Sequence, residues 1–193
     1  MIEEPSRLST LGVCHNCFIR NLIRTTTPIP QKNWTSFYFE AKIVQGGSND
    51  IIAIGLTEAD PNTRTDCMPG WDTDYGGSHS YSTLGIGYHG DDGGIFKGSG
   101  RFRFNKIVSF TTGDVVGCLV QARVKCINGT DQETTTVEFT KNGKIRTISP
   151  VHIKDAVWYP TIGMASAGSV VETNFGEHPF LYSGMSRNFG TFL

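Results

Sequence analysis

The stretch Gly85-Ile-Gly-Tyr-His-Gly-Asp-Asp-Gly-Gly-Ile-Phe-Lys-Gly-Ser-Gly100 decides how this chain is read. It carries too much glycine for a helix and too many aromatic and aliphatic side chains for a disordered linker. Tyr88, Ile95 and Phe96 can anchor one face of it, which leaves His89, Asp91, Asp92 and Lys97 to meet water. Gly87, Gly90, Gly93 and Gly94 permit backbone conformations that other residues resist. Further on, Gly113-Asp-Val-Val-Gly-Cys118 reads as a turn entering a buried strand. A loop built this way holds one surface in a fixed shape.

Outward from this stretch the pattern is that of strands. Ile51-Ile-Ala-Ile-Gly-Leu56 is a near-continuous apolar run, as expected of a strand buried on both faces. In Phe37-Tyr-Phe-Glu-Ala-Lys-Ile-Val44, the residues Phe37, Phe39, Ala41 and Ile43 share one face, and Tyr38, Glu40 and Lys42 the other. Gly46-Gly-Ser-Asn-Asp50 between them reads as a hairpin turn. Arg20 to Thr27 alternates in part and ends at Pro28-Ile-Pro30, an edge or a turn. A long connection, Thr57 to Gly70, contains Asp60-Pro-Asn62 and Met68-Pro-Gly70 and is closed by Trp71.

Towards the C-terminus, Asp114 to Val124 reads as a strand, with a further hairpin at Asn128-Gly-Thr130. Thr134 to Thr140 alternates, and Lys141-Asn-Gly-Lys144 is the strongest hairpin signal in the chain, because Asn-Gly suits a type I′ turn. Ile145 to Ile148 returns from it. Trp158 to Met164 is another buried run, Ala165-Ser-Ala-Gly168 a turn, and Val170 to Phe175 a last strand. Gly176 to Leu193 is polar and dotted with glycine. About ten short strands, with turn signals about every 8–12 residues and no amphipathic helix, predict an all-β sandwich of antiparallel strands. The predicted boundaries are a flexible leader over 1–10, one domain over 11–182 and a tail over 183–193.

Composition narrows the function. The chain has 193 residues, enough for one domain with a full core. A net charge of −1 gives no general electrostatic reason to bind nucleic acid or anionic membrane. No apolar run approaches a bilayer's thickness, and the acidic start Met1-Ile-Glu-Glu-Pro5 is not a signal sequence. Five cysteines, Cys14, Cys17, Cys67, Cys118 and Cys126, make no disulfide framework, so a reducing cytoplasmic or nuclear compartment is expected. The sequons at Asn33 and Asn128 are then not expected to be used.

Three patterns invite chemistry. Cys14-His-Asn-Cys17 lacks the second ligand pair of a structural zinc site and the following helix of a redox motif, so it reads as a structural loop. His89 with Asp91 or Asp92 could form a hydrolase or metal site, but acidic residues in a glycine loop more often bond their own backbone. Their spacing does not match a calcium loop. Lys97, Arg101, Arg103 and Lys106, interleaved with Phe102 and Phe104, could contact nucleic acid; the same alternation describes an edge strand with one solvated face, and that reading is preferred.

Nine short motifs occur in order: Pro28-Ile-Pro30, Tyr38-Phe-Glu40, Ile54-Gly-Leu56, Pro69-Gly-Trp71, Gly87-Tyr-His-Gly-Asp-Asp-Gly93, Gly113-Asp-Val-Val-Gly-Cys118, Phe139-Thr-Lys-Asn-Gly143, Tyr159-Pro-Thr-Ile-Gly163 and Asn174-Phe-Gly176. Together they resemble the SPRY domain, called B30.2 in its longer form, over Leu11 to Phe180. The glycine loop is most similar to the Ran-binding-protein-9-like subgroup and to SPRY-domain-containing protein 3. The chain departs from the pattern by added residues at Asp72 to Thr83 and at Val124 to Glu133.

The resemblance implies a bent, concanavalin-like sandwich of two antiparallel sheets, without catalytic activity, cofactor or metal. It implies a monomeric module that binds a short peptide of a protein partner on the loops at one end, as an adaptor, a scaffold part or the recognition domain of a ubiquitin ligase. The family's pocket positions fall at His15 and Asn16, Thr57, Tyr88 with its neighbour His89, and Met164, Ala165 and Ser166. The arginine some members carry in the first of these loops is not evident. Tyr88 is the expected centre, since a tyrosine combines a large rigid contact with one polar tip. Its ring could equally pack beneath the glycine loop.

Overall fold

The computed structural model describes residues 12–13, 21–30, 34–58, 68–70, 85–97, 103–127, 130–153 and 156–185. In chain order the strands are β1 (Gly12–Val13), β2 (Asn21–Arg24), β3 (Ser36–Gln45), β4 (Ile52–Glu58), β5 (Gly85–His89), β6 (Gly94–Lys97), β7 (Arg103–Lys106), β8 (Val115–Ile127), β9 (Thr130–Lys141), β10 (Lys144–Ile145), β11 (Val151–Ile153), β12 (Trp158–Met164) and β13 (Val170–Asn174). They form two antiparallel sheets. Sheet A runs β1-β13-β3-β8-β9-β10, with β11 also paired to β9; sheet B runs β2-β12-β4-β5-β6-β7. The predicted sandwich is therefore present, and β7, which holds part of the basic and aromatic run, is an edge strand of sheet B.

The core lies between the sheets. Phe39, Ala41 and Ile43 of β3, Cys118 and Val120 of β8, and Val137 and Phe139 of β9 meet Ile54 and Leu56 of β4, Ile86 and Tyr88 of β5 and Ile162 of β12. Each buried aliphatic or aromatic side chain contributes about 1.5–3 kcal/mol, which is why alternate residues in these strands are apolar. Burial raises the thiol pKa of Cys118, which sits in this core as a small apolar side chain.

Two expectations need correction. Gly46–Asp50 is not a hairpin turn: β3 belongs to sheet A and β4 to sheet B, so the segment carries the chain between layers. Gly47 (φ 78°) and Asp50 (φ 53°) make the bend. A second crossover, 165–169, returns from β12 to β13, and the two are clipped together. Ser166 Oγ accepts the N–H groups of Asn49 (3.3 Å) and Ile51 (2.9 Å), and Ser169 Oγ donates to the Gly46 carbonyl (3.1 Å). By contrast Asn142 (φ 51°) and Gly143 (φ 72°) take the positive dihedrals expected of the Asn-Gly hairpin between β9 and β10.

The second correction concerns the polar segment after Gly176. Phe180 packs edge-on to Tyr38 at 4.8 Å, and Tyr182 lies against the same ring at 5.4 Å. The Leu181 N–H is shared by both oxygens of Glu40 (3.1 and 3.2 Å), whose Oε2 also accepts from the Tyr38 hydroxyl (3.0 Å). Thr140 in turn donates to the Tyr38 oxygen (2.8 Å). The outer face of sheet A is thus covered around Tyr38 and Glu40, both of which are buried.

The outer face of sheet B is covered as well, by Met68-Pro69-Gly70. The register places Thr161, Gly55 and Gly87 side by side across β12, β4 and β5, with Gly163 one row away. A Cβ on Gly163 would lie 3.0 Å from Met68 Cγ and 3.1 Å from Pro69 Cδ, and one on Gly87 would collide with the Pro69 carbonyl. These glycines form the floor on which the segment rests.

Candidate functional site

Pairing of β5 with β4 and β6 sets Tyr88 opposite Ile54 and Ile95, on the core side. Tyr88 has no exposed surface. Its ring stands edge-on to Phe110 at 4.8 Å and tilts against Phe139 at 5.7 Å, and its hydroxyl donates to the Val108 carbonyl. Burial, followed by the charge of Asp114, raises the phenol pKa, so the group remains a donor. The expected peptide contact at Tyr88 thus has no side-chain surface in this structure; strand alternation turns the ring inward. It acts on the surface through the backbone it holds.

That backbone is the 107–114 loop. The Ile107 N–H bonds the Gly93 carbonyl (2.8 Å), the Phe110 N–H bonds the Gly90 carbonyl (3.2 Å), and Lys141 Nζ bonds the Ser109 carbonyl (2.7 Å). Asp114 receives the Thr111 N–H (3.0 Å), the Asn142 amide (2.8 Å) and Lys141 Nζ (2.9 Å). Burial works to raise the Asp114 pKa, but these donors outweigh it and hold it low. The Thr111 hydroxyl donates to Asp50 (2.8 Å), joining this loop to the first crossover. At its apex Val108 is 55% exposed. Sequence reasoning passed over Val108, because Lys106-Ile-Val-Ser-Phe110 offers three apolar residues and nothing local says which turns out.

His89 occupies the outer face of sheet B, opposite Ala53. It is buried, lies 4.7 Å from the Phe96 ring, and has Nε2 2.9 Å from the Pro69 carbonyl. A carbonyl only accepts, so Nε2 carries the proton. Burial lowers the imidazole pKa, against the opposing pull of the Pro69 carbonyl and Asp91. Asp92 Oδ1 accepts the Gly94 N–H (2.6 Å), the local turn chemistry expected of it. His89 thus fastens the Met68–Gly70 segment and has no side-chain surface for a peptide. Among the described residues, no three of His, Cys, Asp and Glu are grouped to hold a metal ion.

A pH dependence follows. With a folded pKa below the ordinary value near 6.5, the unfolded chain binds more protons at position 89 than the folded one. Stability at this site is full above about pH 6.5 and is lost as pH falls towards the folded value. Urea titrations between pH 7.5 and 5 should show His89→Gln losing less stability than the parent chain over that interval. Parallel curves would mean His89 titrates alike in both states.

The other expected positions are dispersed. Thr57 pairs with Tyr159 and Met164 with Ile52, so they occupy opposite ends of the β4/β12 pair, about 17 Å apart at about 3.4 Å per residue. Thr57 is buried with its hydroxyl on Thr161 (2.7 Å), and Met164 belongs to the core. Ser166 is the buried clip between the crossovers, so all three expected contacts have their side chains turned away from solvent. Ala165 is half-buried, with its N–H on the Ile51 carbonyl (2.8 Å), and stays at the end where Val108 stands. His15 and Asn16 lie outside the described residues.

Known proteins share this arrangement. The SPRY domain family model matches residues 36–178. This chain belongs to the SPRY family. Ran-binding protein 9 from Danio rerio is 38% identical over 160 residues, covering 83% of this chain and 23% of that protein. The Homo sapiens Ran-binding protein 9 is 39% identical over the same length and 18% covered, which agrees with the subgroup read from the glycine loop. Dual specificity protein kinase splA from Dictyostelium discoideum is 31% identical over 187 residues, 95% of this chain and 6% of that one. The chain therefore spans less than a quarter of each of these three relatives. Among solved structures, a human SPRY domain superposes with a TM-score of 0.58 at 25% identity, covering 83% of this chain and 88% of that one. The SPRY domain of human HERC1, at 0.54 and 16%, shares the fold over 83% and 86% of the two chains.

Proposed function

We propose that this SPRY domain is a non-catalytic interaction module that takes a short segment of a protein partner on the loops at the Val108 end of the sandwich, as an adaptor or recognition domain. The carrying observation is an exposed aliphatic side chain on a loop fixed by hydrogen bonds from four sides, including the buried Tyr88 hydroxyl. A rigid apolar tip loses little entropy when covered, which is what a binding hot spot requires. Around it lie the exposed Asp91, Ser109 and Thr111 and the half-buried Asp50 and Ala165. Ran-binding protein 9 is itself named for binding another protein, which supports a protein ligand for this class of domain.

Peptides selected from a displayed library on the domain provide the test. Val108→Asp should weaken the selected peptides by about tenfold or more, the usual loss at a central contact. Val157→Asp, at the far end of β12, should leave them unchanged. Equal affinity for parent and Val108→Asp, with the fold intact, would remove this end of the sandwich as the site.

A further inference from the structure

The edge of sheet A at β10 carries a second, separate pattern. Sheet A ends there, and Arg146 still bonds back, its N–H on the Phe139 carbonyl at 2.8 Å. In an antiparallel pair the bonded residues alternate, so the N–H and C=O of Ile145 point away from the sheet. The side chains are open as well: Lys144, Ile145 and Arg146 all face solvent, and Ile148 beyond them is 79% exposed. Lys141 is neutralised by Asp114, whereas Lys144 and Arg146 carry no ion pair among the described residues. Ile145 lies opposite Thr140 on the outer face, and Leu181, itself half exposed, borders the hairpin at Gly143. Ile145, Ile148 and Leu181 are half of the large apolar side chains found exposed among the described residues.

We propose that this edge accepts an extended partner segment in which an aliphatic residue is flanked on both sides by carboxylates, added as a further antiparallel strand. Cross-strand neighbours repeat every second residue, so acids at alternate positions meet Lys144 and Arg146 while the residue between them meets Ile145. Exposed backbone supplies the affinity and the side chains the selection. The two cations also explain why a second copy of the same edge is a poor occupant: like charges would face each other, the usual protection of an open strand. They exclude a basic strand and admit an acidic one.

The test uses the 15N-labelled domain and three acetylated peptides: Thr-Glu-Ile-Glu-Val-Thr, its counterpart with Lys for Glu, and the first peptide with its central amide N-methylated. The glutamate peptide should shift the amide signals of 144–148, weaken with added salt, and lose binding on methylation. Lys144→Glu/Arg146→Glu should bind it on the order of tenfold more weakly and turn to the lysine peptide. A Val108→Ala chain, which removes the apolar tip without adding a charge near Arg146, should bind it as the parent does, which separates this edge from the loop end. The proposal is overturned if the lysine peptide binds the parent chain equally well, if the shifts fall elsewhere, or if none of the peptides binds. Should the double variant lose its native spectrum, the salt series and the lysine peptide on the parent chain decide alone.

Discussion

Tyr88→Ala should destabilise the domain by about 3–5 kcal/mol, the range for deleting a large buried ring. The ring fills the core between Phe110 and Phe139, and both would face the cavity. That loss is a large part of the stability of an ordinary domain, so the variant should be substantially unfolded at 37 °C. Binding lost from Tyr88→Ala would therefore report unfolding. Tyr88→Phe is the informative partner: it keeps the ring and removes only the hydroxyl that holds the Val108 carbonyl. Its cost should be about 1 kcal/mol in denaturant titration. The amides of Ile107 and Phe110, which close the loop onto Gly93 and Gly90, should exchange faster with solvent in that variant while the core strands do not. Unchanged exchange at these two amides would show that the hydroxyl does not hold the loop.

Gly87→Ala is the second large effect. The added Cβ would collide with the Pro69 carbonyl, which His89 also bonds, so the Met68–Gly70 segment must lift. Overpacking costs about 1–3 kcal/mol, and a buried imidazole losing its acceptor about 1–3 more, which together predict about 2–6 kcal/mol. Gly113→Ala separates steric from conformational cost. Gly113 has φ 90° and nothing within 4 Å of its Cβ position, so only backbone strain remains, about 1–2 kcal/mol. Thermal melts of the two variants should differ clearly; similar melts would mean the segment over sheet B yields without loss.

The sandwich was legible because its strands alternate and its turns carry glycine in sequence. Asn142-Gly143 announces its own geometry, and the nine motifs arrive in order. The layer change at Gly46–Asp50 was not legible, since a turn that pairs two strands and one that parts them use the same residues. Tyr88 illustrates the limit for the site. Alternation shows that it differs in direction from Gly87 and His89, but both faces of sheet B are covered, so direction alone does not say what is exposed. The cover comes from Met68–Gly70, remote in sequence from much of what it covers. Likewise Phe180 and Tyr182 in a polar segment give no local sign that Tyr38 awaits them.

The clip at Ser166 has a consequence for how the domain is made. Its hydroxyl joins Asn49 and Ile51 to a residue more than a hundred positions later, and β12 and β13 are interior strands of the two sheets, bordered by β2 and β1 from the start of the chain. On a ribosome that emits about 5–20 residues per second, the early strands must wait several seconds with open edges before their neighbours appear. Consecutive strands can pair earlier, but neither layer is complete until then. Maturation hinges on one late event, the arrival of residues 158–174, and a nascent chain halted before it exposes β3 and β4 together.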